Sequence, residues 1–331
     1  MNWDLILQWG FLIALLTAAI RLAIPVVLAV LGEIVTERSG VLNLGLEGVM
    51  AMGAVTGFLV TYYLQNSPIG ASFGGLSAWL GLLAGVGAGM GMGLIMAVLS
   101  VTLHADQVIS GVTLVVFGYG LSAYLYRQAF SSLTARVVGL QARPLPLLSE
   151  IPVLGPILFD HSPTVYLTAL LVIAVWFLLF RTTWGLNIRA VGENPEAAET
   201  SGINVGLVRY AATLIGTALA GLGGAVLTVD QLQLFRQGIT AGRGWIAVAL
   251  VIFASWRPGL ALVGALLFGL ADALQYRIQA LSQVQRGAGA IPYEFLLMLP
   301  YILTILALLY RTGRRTEAPA ALGRPYVRGE E

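Results

Sequence analysis

The chain has no cysteine, no lysine and very little charge of either sign. Without cysteine there are no disulfides, no thiolate metal sites and no cysteine nucleophile. Without lysine there is no Walker A loop, which needs that residue on the nucleotide phosphates, and no lysine Schiff base. All 18 basic residues are arginines. The two histidines, His104 and His161, lie far apart and form no HExxH pair, so neither a metal nor a resident cofactor is expected. Only 10% of the 331 residues are charged and 58% are hydrophobic, with a mean hydropathy of +0.85. A soluble globular domain carries roughly 25% charged residues. So little charge cannot cover a water-facing surface, which leaves an integral membrane protein as the default. The N-terminus lacks a basic n-region, and Asp4 sits where one would be, so no cleaved signal peptide is expected.

What is present is a series of apolar runs, most of them long enough to cross a bilayer, which takes about 20 residues. They predict an all-α, polytopic fold with about nine spans: 7–31, 44–64, 76–101, 107–126, 163–180, 207–229, 244–256, 259–276 and 293–310. The first is interrupted by Arg21 and Pro25, and the seventh is short for a span. Residues 1–310 form the membrane domain and 311–331 a polar, arginine-rich tail. Arginines near span ends set orientation. The cluster Arg311, Arg314 and Arg315 predicts a cytoplasmic C-terminus, which also puts 182–206 in the cytoplasm and the proline-bearing 130–162 segment outside. Two runs carry small residues at intervals of four: Gly81, Gly85, Gly89, Gly93, and Ala212, Gly216, Ala220, Gly224. Such stripes let helix backbones approach closely, either inside the bundle or at a subunit interface.

Against this apolar background, AVGENPEAAETSGINVG (190–206) stands out with three glutamates. Asn194 is a good N-cap, Pro195 suits the first helical position, and Glu196 meets the positive helix end. Ala197 and Ala198 favour helix without adding bulk, and Gly202 is placed to stop it. The pattern predicts a helix over 195–201 with both ends specified. A loop needs only to be polar. A capped helix with a small-residue face has the design of a docking element, though a plain surface connection has the same outline.

Ionisable groups also lie within or at the ends of apolar runs: Arg21, Glu33, Glu37, Arg38, Glu47, Asp106 and Asp272. Such groups are costly in a bilayer and usually pair or line a polar path. The glycines Gly32, Gly40, Gly45 and Gly48 permit a broken backbone over 32–48. The alternative there is an ordinary turn with a Glu37–Arg38 surface pair. A polar path offers Asn43, Glu47, Phe117, Tyr119 and Trp245 as aromatic faces and polar contacts for a solute. Each of these also suits a plain packing role.

Glu196-Ala197-Ala198, three residues and then Gly202 resembles the EAA…G coupling motif of ATP-binding cassette (ABC) importer permeases, without the Leu-Pro that follows in many versions. RTTWGLNIRAVGENPEAAETSGINV (181–205) is similar to the same loop in permeases related to the ribose and branched-chain amino acid importers. RLAIPVVLAVLGEIVTERSGVLNLGLEGVMAMGA (21–54) and GRGWIAVALVIFASWRPGLALVGALLFG (242–269) resemble the nucleoside-importer branch, which works with basic membrane lipoprotein-type binding proteins. The resemblance implies a type II importer permease of the inner membrane that carries nucleosides or related sugars and is not itself an enzyme. It implies three protein partners: an ATPase subunit that binds the ATP, a second homologous permease that completes a heterodimer, and an external lipoprotein. No nucleic acid is expected. It further implies that Ala197 and Ala198 pack in a cleft of the ATPase, that Glu193, Glu196 and Glu199 meet basic groups at its rim, that Arg189 pairs with an acidic group, and that Gly202 turns the chain into the next span. Branched-chain amino acids are the other substrate class. A self-contained secondary transporter using Asp106 and Asp272 is the rival mechanism, and no catalytic spacing supports a membrane enzyme.

Overall fold

A computed structural model describes residues 9–68, 75–130, 135–284 and 318–327, with isolated positions at 298, 302, 305, 306 and 309. The architecture is helical throughout. Among the described residues the helices are α1 (Trp9–Arg38), α2 (Leu46–Asn66), α3 (Leu76–Ala97), α4 (Gln107–Ala129), α5 (Pro163–Arg181), α6 (Thr183–Glu193), α7 (Pro195–Thr200), α8 (Val205–Ala225), α9 (Arg243–Ala254) and α10 (Pro258–Val284). Wider π turns extend α3 to Thr102 and α8 to Gln231. Pro25 lies inside α1 without breaking it.

Among the described residues, seven helices are long and apolar enough to cross a membrane, against the nine spans expected. The 244–256 run is α9, only 12 residues long. At 1.5 Å per residue it covers roughly 18 Å, about half of a bilayer. The run at 293–310 lies outside the described residues apart from isolated positions.

α8 is the centre, with 83% of its span window buried. It packs on α1, α2 and α3, while α10 closes against α1. The small-residue stripes explain this geometry. A Cβ at Gly89 would overlap the Thr217 carbonyl and stand 3.0 Å from the Gly221 Cα. One at Gly216 would lie 2.6 Å from the Gly32 carbonyl oxygen, and one at Gly224 would strike the Met50 carbonyl. Both stripes are therefore spent inside the bundle, on backbone-to-backbone contact. Gly87 and Gly91, on the outer face of α3, have nothing within 4 Å. Gly89→Val is thus expected to lower the apparent melting temperature in detergent, since overpacking typically costs about 1–3 kcal/mol. Gly87→Val should leave that temperature unchanged. Equal melting of the two variants would remove the close α3–α8 contact as the organising feature.

The backbone break is shorter than 32–48. Helix α1 continues to Arg38, Gly40 turns the chain with φ of +88°, and α2 resumes at Leu46. Residues 39–45 double back along α1. The Asn43 N–H donates to Glu33 Oε1 (3.0 Å) and the Leu42 N–H to Gln107 Oε1 (2.7 Å). There is no Glu37–Arg38 surface pair either. Glu37 is buried and accepts a bond from Trp256 Nε1 at 2.6 Å. Helix α2 therefore begins within the bundle, and α9 runs from its start, where Gly244 meets Glu47, to the end of α1, where Trp256 meets Glu37.

Candidate functional site

The first candidate site is the loop between α5 and α8. Thr182 Oγ1 caps α6 by accepting from Gly185 N (3.0 Å), and Asn194 Oδ1 caps α7 by accepting from Ala197 N (3.0 Å). Pro195 occupies the first helical position. Gly202 has φ of +85°, and its N–H donates to the Glu199 carbonyl at 2.8 Å. The Ile203 N–H reaches back to the Ala198 carbonyl (3.0 Å), and Asn204 caps α8 through Leu207 N (2.9 Å). Local caps and the left-handed Gly202 therefore set the turns of this loop.

Its side chains divide. Glu196 and Ala197 are exposed, whereas Ala198 is buried in the protein. Ala198 therefore cannot share a face with Ala197 toward a partner, because consecutive helical residues point about 100° apart. Arg189 stacks its guanidinium over the Phe180 ring at 5.3 Å. Glu193 and Glu199 are engaged by the C-terminal segment: Glu193 Oε2 accepts from Ala320 N (3.3 Å), and the Glu199 carboxylate accepts from the Tyr326 hydroxyl. That segment was legible only as a polar tail. Its signal was the largely apolar run APAALGRPYV (318–327) inside that arginine-rich stretch.

The second candidate site lies inside the bundle. Glu47, fully buried near the start of α2, clamps the N-terminus of α9. Its Oε1 accepts from Thr240 Oγ1 (2.6 Å), Gly242 N (2.8 Å) and the Tyr119 hydroxyl, and its Oε2 accepts from Gly244 N (2.6 Å). A carboxylate at a helix N-terminus is stabilised by the free N–H groups and the positive end of the helix. On the other side Arg243 Nη2 pairs with Asp272 Oδ2 of α10 at 3.0 Å. The first turn of α9 is therefore gripped by acids from two different helices. Trp245, half-exposed, follows directly.

The structure thus brings Glu47 and Tyr119 together and sets Trp245 next to them. Asn43 is buried in the doubled-back segment, its Oδ1 accepting from Gly45 N (2.9 Å), and Phe117 is 45% exposed; neither bonds to the clamp. Asp106 is a helix cap, accepting from Ile109 N (2.8 Å), and Asp272 is committed to Arg243. Thr240 and Arg243 are site residues that sequence reasoning missed. No local pattern links them to Glu47 or Asp272, which lie far along the chain.

Among the described residues, seven apolar spanning helices around a glycine-packed centre, with a half-length helix held by buried acids, make this a multi-pass protein of the cell membrane. The chain belongs to the family described as the branched-chain amino acid transport system / permease component, whose model matches residues 15–308. It is 38% identical to the guanosine ABC transporter permease protein of Bacillus subtilis, covering 95% of this chain and 96% of that one. It is 34% identical to the nucleoside ABC transporter permease protein of Lactococcus lactis subsp. cremoris, over 92% and 94% of the two chains. A Haloferax volcanii protein assigned as a glucose ABC transporter permease is 41% identical over 96% of this chain and 99% of its own length. These relatives are transport proteins, not enzymes. No solved structure gives a significant match.

Proposed function

We propose that this chain is the membrane-spanning permease subunit of an ABC importer for nucleosides or related simple sugars. The observation that carries the reading is the pre-formed helix α7 with its capped start and left-handed Gly202 stop, in a family of transport permeases. Helix α7 with its loop 182–206 faces the cytoplasm and docks on a separate ATPase subunit. Glu196, Ala197 and the Gly202 turn form the part that meets the ATPase. Arg189, Glu193, Ala198 and Glu199 hold that part in position. The permease pairs with a second, homologous permease and receives its substrate from an external binding lipoprotein. ATP is bound by the ATPase, and this chain carries no cofactor.

Near the start of α2, Glu47, Tyr119 and Trp245 border the translocation path, with Glu47 holding α9 in place. Names of relatives at high coverage include guanosine, nucleoside and glucose, which share a polyhydroxylated ring. The rival reading, a self-contained transporter, is disfavoured because Asp106 and Asp272 are already occupied.

The test is gentle detergent purification from the native membrane with mass spectrometry of what accompanies the chain, followed by uptake of radiolabelled guanosine and glucose by the reconstituted assembly. A stoichiometric ATPase and ATP-dependent uptake are expected. A chain that comes alone and moves solute without ATP would overturn the reading.

A further inference from the structure

The C-terminal residues 318–327 do not hang free; they are laced into the end of the bundle that carries α7. The Ala321 N–H donates to the Gly192 carbonyl (2.9 Å), at the end of α6. The Gly323 N–H donates to the Gly40 carbonyl (3.1 Å), just past α1. Arg209 Nη1, on α8, donates to the Arg324 carbonyl (3.2 Å). His104, in the turn between α3 and α4, bonds the Tyr326 carbonyl through Nε2 (3.0 Å). The Tyr326 hydroxyl then reaches Glu199 on α7, and Ala320 N reaches Glu193.

The seat is built for backbone. Gly40 and Gly192 face each other without side chains: a Cβ at Gly192 would stand 3.3 Å from Gly40 N. A Cβ at Gly40 would stand 3.0 Å from Arg209 Nη2 and 3.2 Å from the Ala321 carbonyl oxygen, so the segment sits closer there than a side chain comfortably allows. Ala321 is buried in this seat. Chain termini are usually poorly ordered unless tied down. This one is tied to the ends of α1 and α3, to α8 and to both short helices of the docking loop.

We propose that residues 318–327 are a strap that fastens α7 to the spanning helices, so that movement of α7 is delivered to α1, α3 and α8 together. The inference rests on the reading of α7 as an ATPase-docking helix and adds the mechanical link that reading lacks. A six-residue helix held only by its own caps and a glycine turn would rotate on its hinge when pushed. With Tyr326 bridging Glu199 to the Arg209 and His104 anchors, the push is shared across the bundle. Tyr326 and Ala321 act as positioning residues and need not touch solute or nucleotide.

The experiment uses the complete transporter reconstituted in liposomes, reading solute moved per ATP hydrolysed. A chain ending at residue 317 is expected to keep its ATPase on purification but to move at least threefold less solute per ATP. A synthetic peptide of residues 318–331, added to the lumenal or external side that exposes α7, should restore the ratio. Ala321→Asp, which puts a charge in the glycine seat, should lower the ratio in the same way, and Tyr326→Phe should do so less. Should the shortened chain fail to insert, the two point variants decide. A wild-type ratio in the shortened chain, or in both point variants, overturns the strap while leaving the ATPase assignment standing. A wild-type chain that purifies without an ATPase overturns both.

Discussion

Gly202→Pro is expected to abolish ATP-driven transport, reducing uptake at least tenfold, while the chain still inserts and purifies from the membrane. Gly202 sits at φ of +85°, which proline cannot adopt because its ring holds φ near −65°. Its N–H, which donates to the Glu199 carbonyl at 2.8 Å, would also be lost. The path from α7 into α8 then has to change, and the exposed face of Glu196 and Ala197 swings away from its partner. Gly202→Ala is the graded control. Nothing lies within 4 Å of a Cβ there, so alanine meets only the left-handed backbone cost of about 1 kcal/mol. Glu196→Lys, which changes only the charge of the exposed first turn, should uncouple ATP hydrolysis from uptake without altering the fold. The readouts are co-purified ATPase and uptake. Normal transport by Gly202→Pro or by Glu196→Lys would mean the loop is a connection and not a docking element.

The second large effect belongs to Glu47. Its carboxylate accepts from two backbone N–H groups, a threonine and a tyrosine, all at or beside the first turn of α9. Glu47→Gln keeps the shape but turns a donor toward Gly244 N, leaving two buried donors facing each other. An unsatisfied buried donor costs about 1–3 kcal/mol, so the melting temperature should fall and uptake should drop at least tenfold. Glu47→Ala removes every acceptor at once and should prevent purification of a folded chain. Because Arg243 and Asp272 hold the opposite side of the same turn, Asp272→Asn should act on the same element, with less than additive loss in the double variant. Independent, additive effects would show that the two acids do not grip one turn of α9.

Much of this was written locally. Asn194, Pro195 and Gly202 specified α7 to within a residue, because caps act on N–H and carbonyl groups three or four positions away. The glycine stripes marked the helix faces that touch, though their partners were not readable. What failed was whatever depended on residues far apart in sequence. The 244–256 run, short for a span, forms α9, and only the packed structure shows that Glu47 holds its start and that Trp256, just past left-handed Ser255, is fixed to Glu37. Ala198, whose face was expected to meet a partner, turned inward against its own chain. Within the stretch read as a polar tail, residues 318–327 pack against Gly40 and Gly192, a pairing that no local pattern announced.

By itself, then, the sequence determined the environment, the approximate place of most spanning helices and both ends of α7. Hydropathy, caps and glycine positions act within a few residues and need no tertiary context. The tertiary structure alone decided which acid holds which helix, where the broken backbone begins, and which face of α7 stays exposed. Those outcomes follow from buried polar groups having to find donors and acceptors wherever the packed helices bring them, and composition carries no record of such distant neighbours.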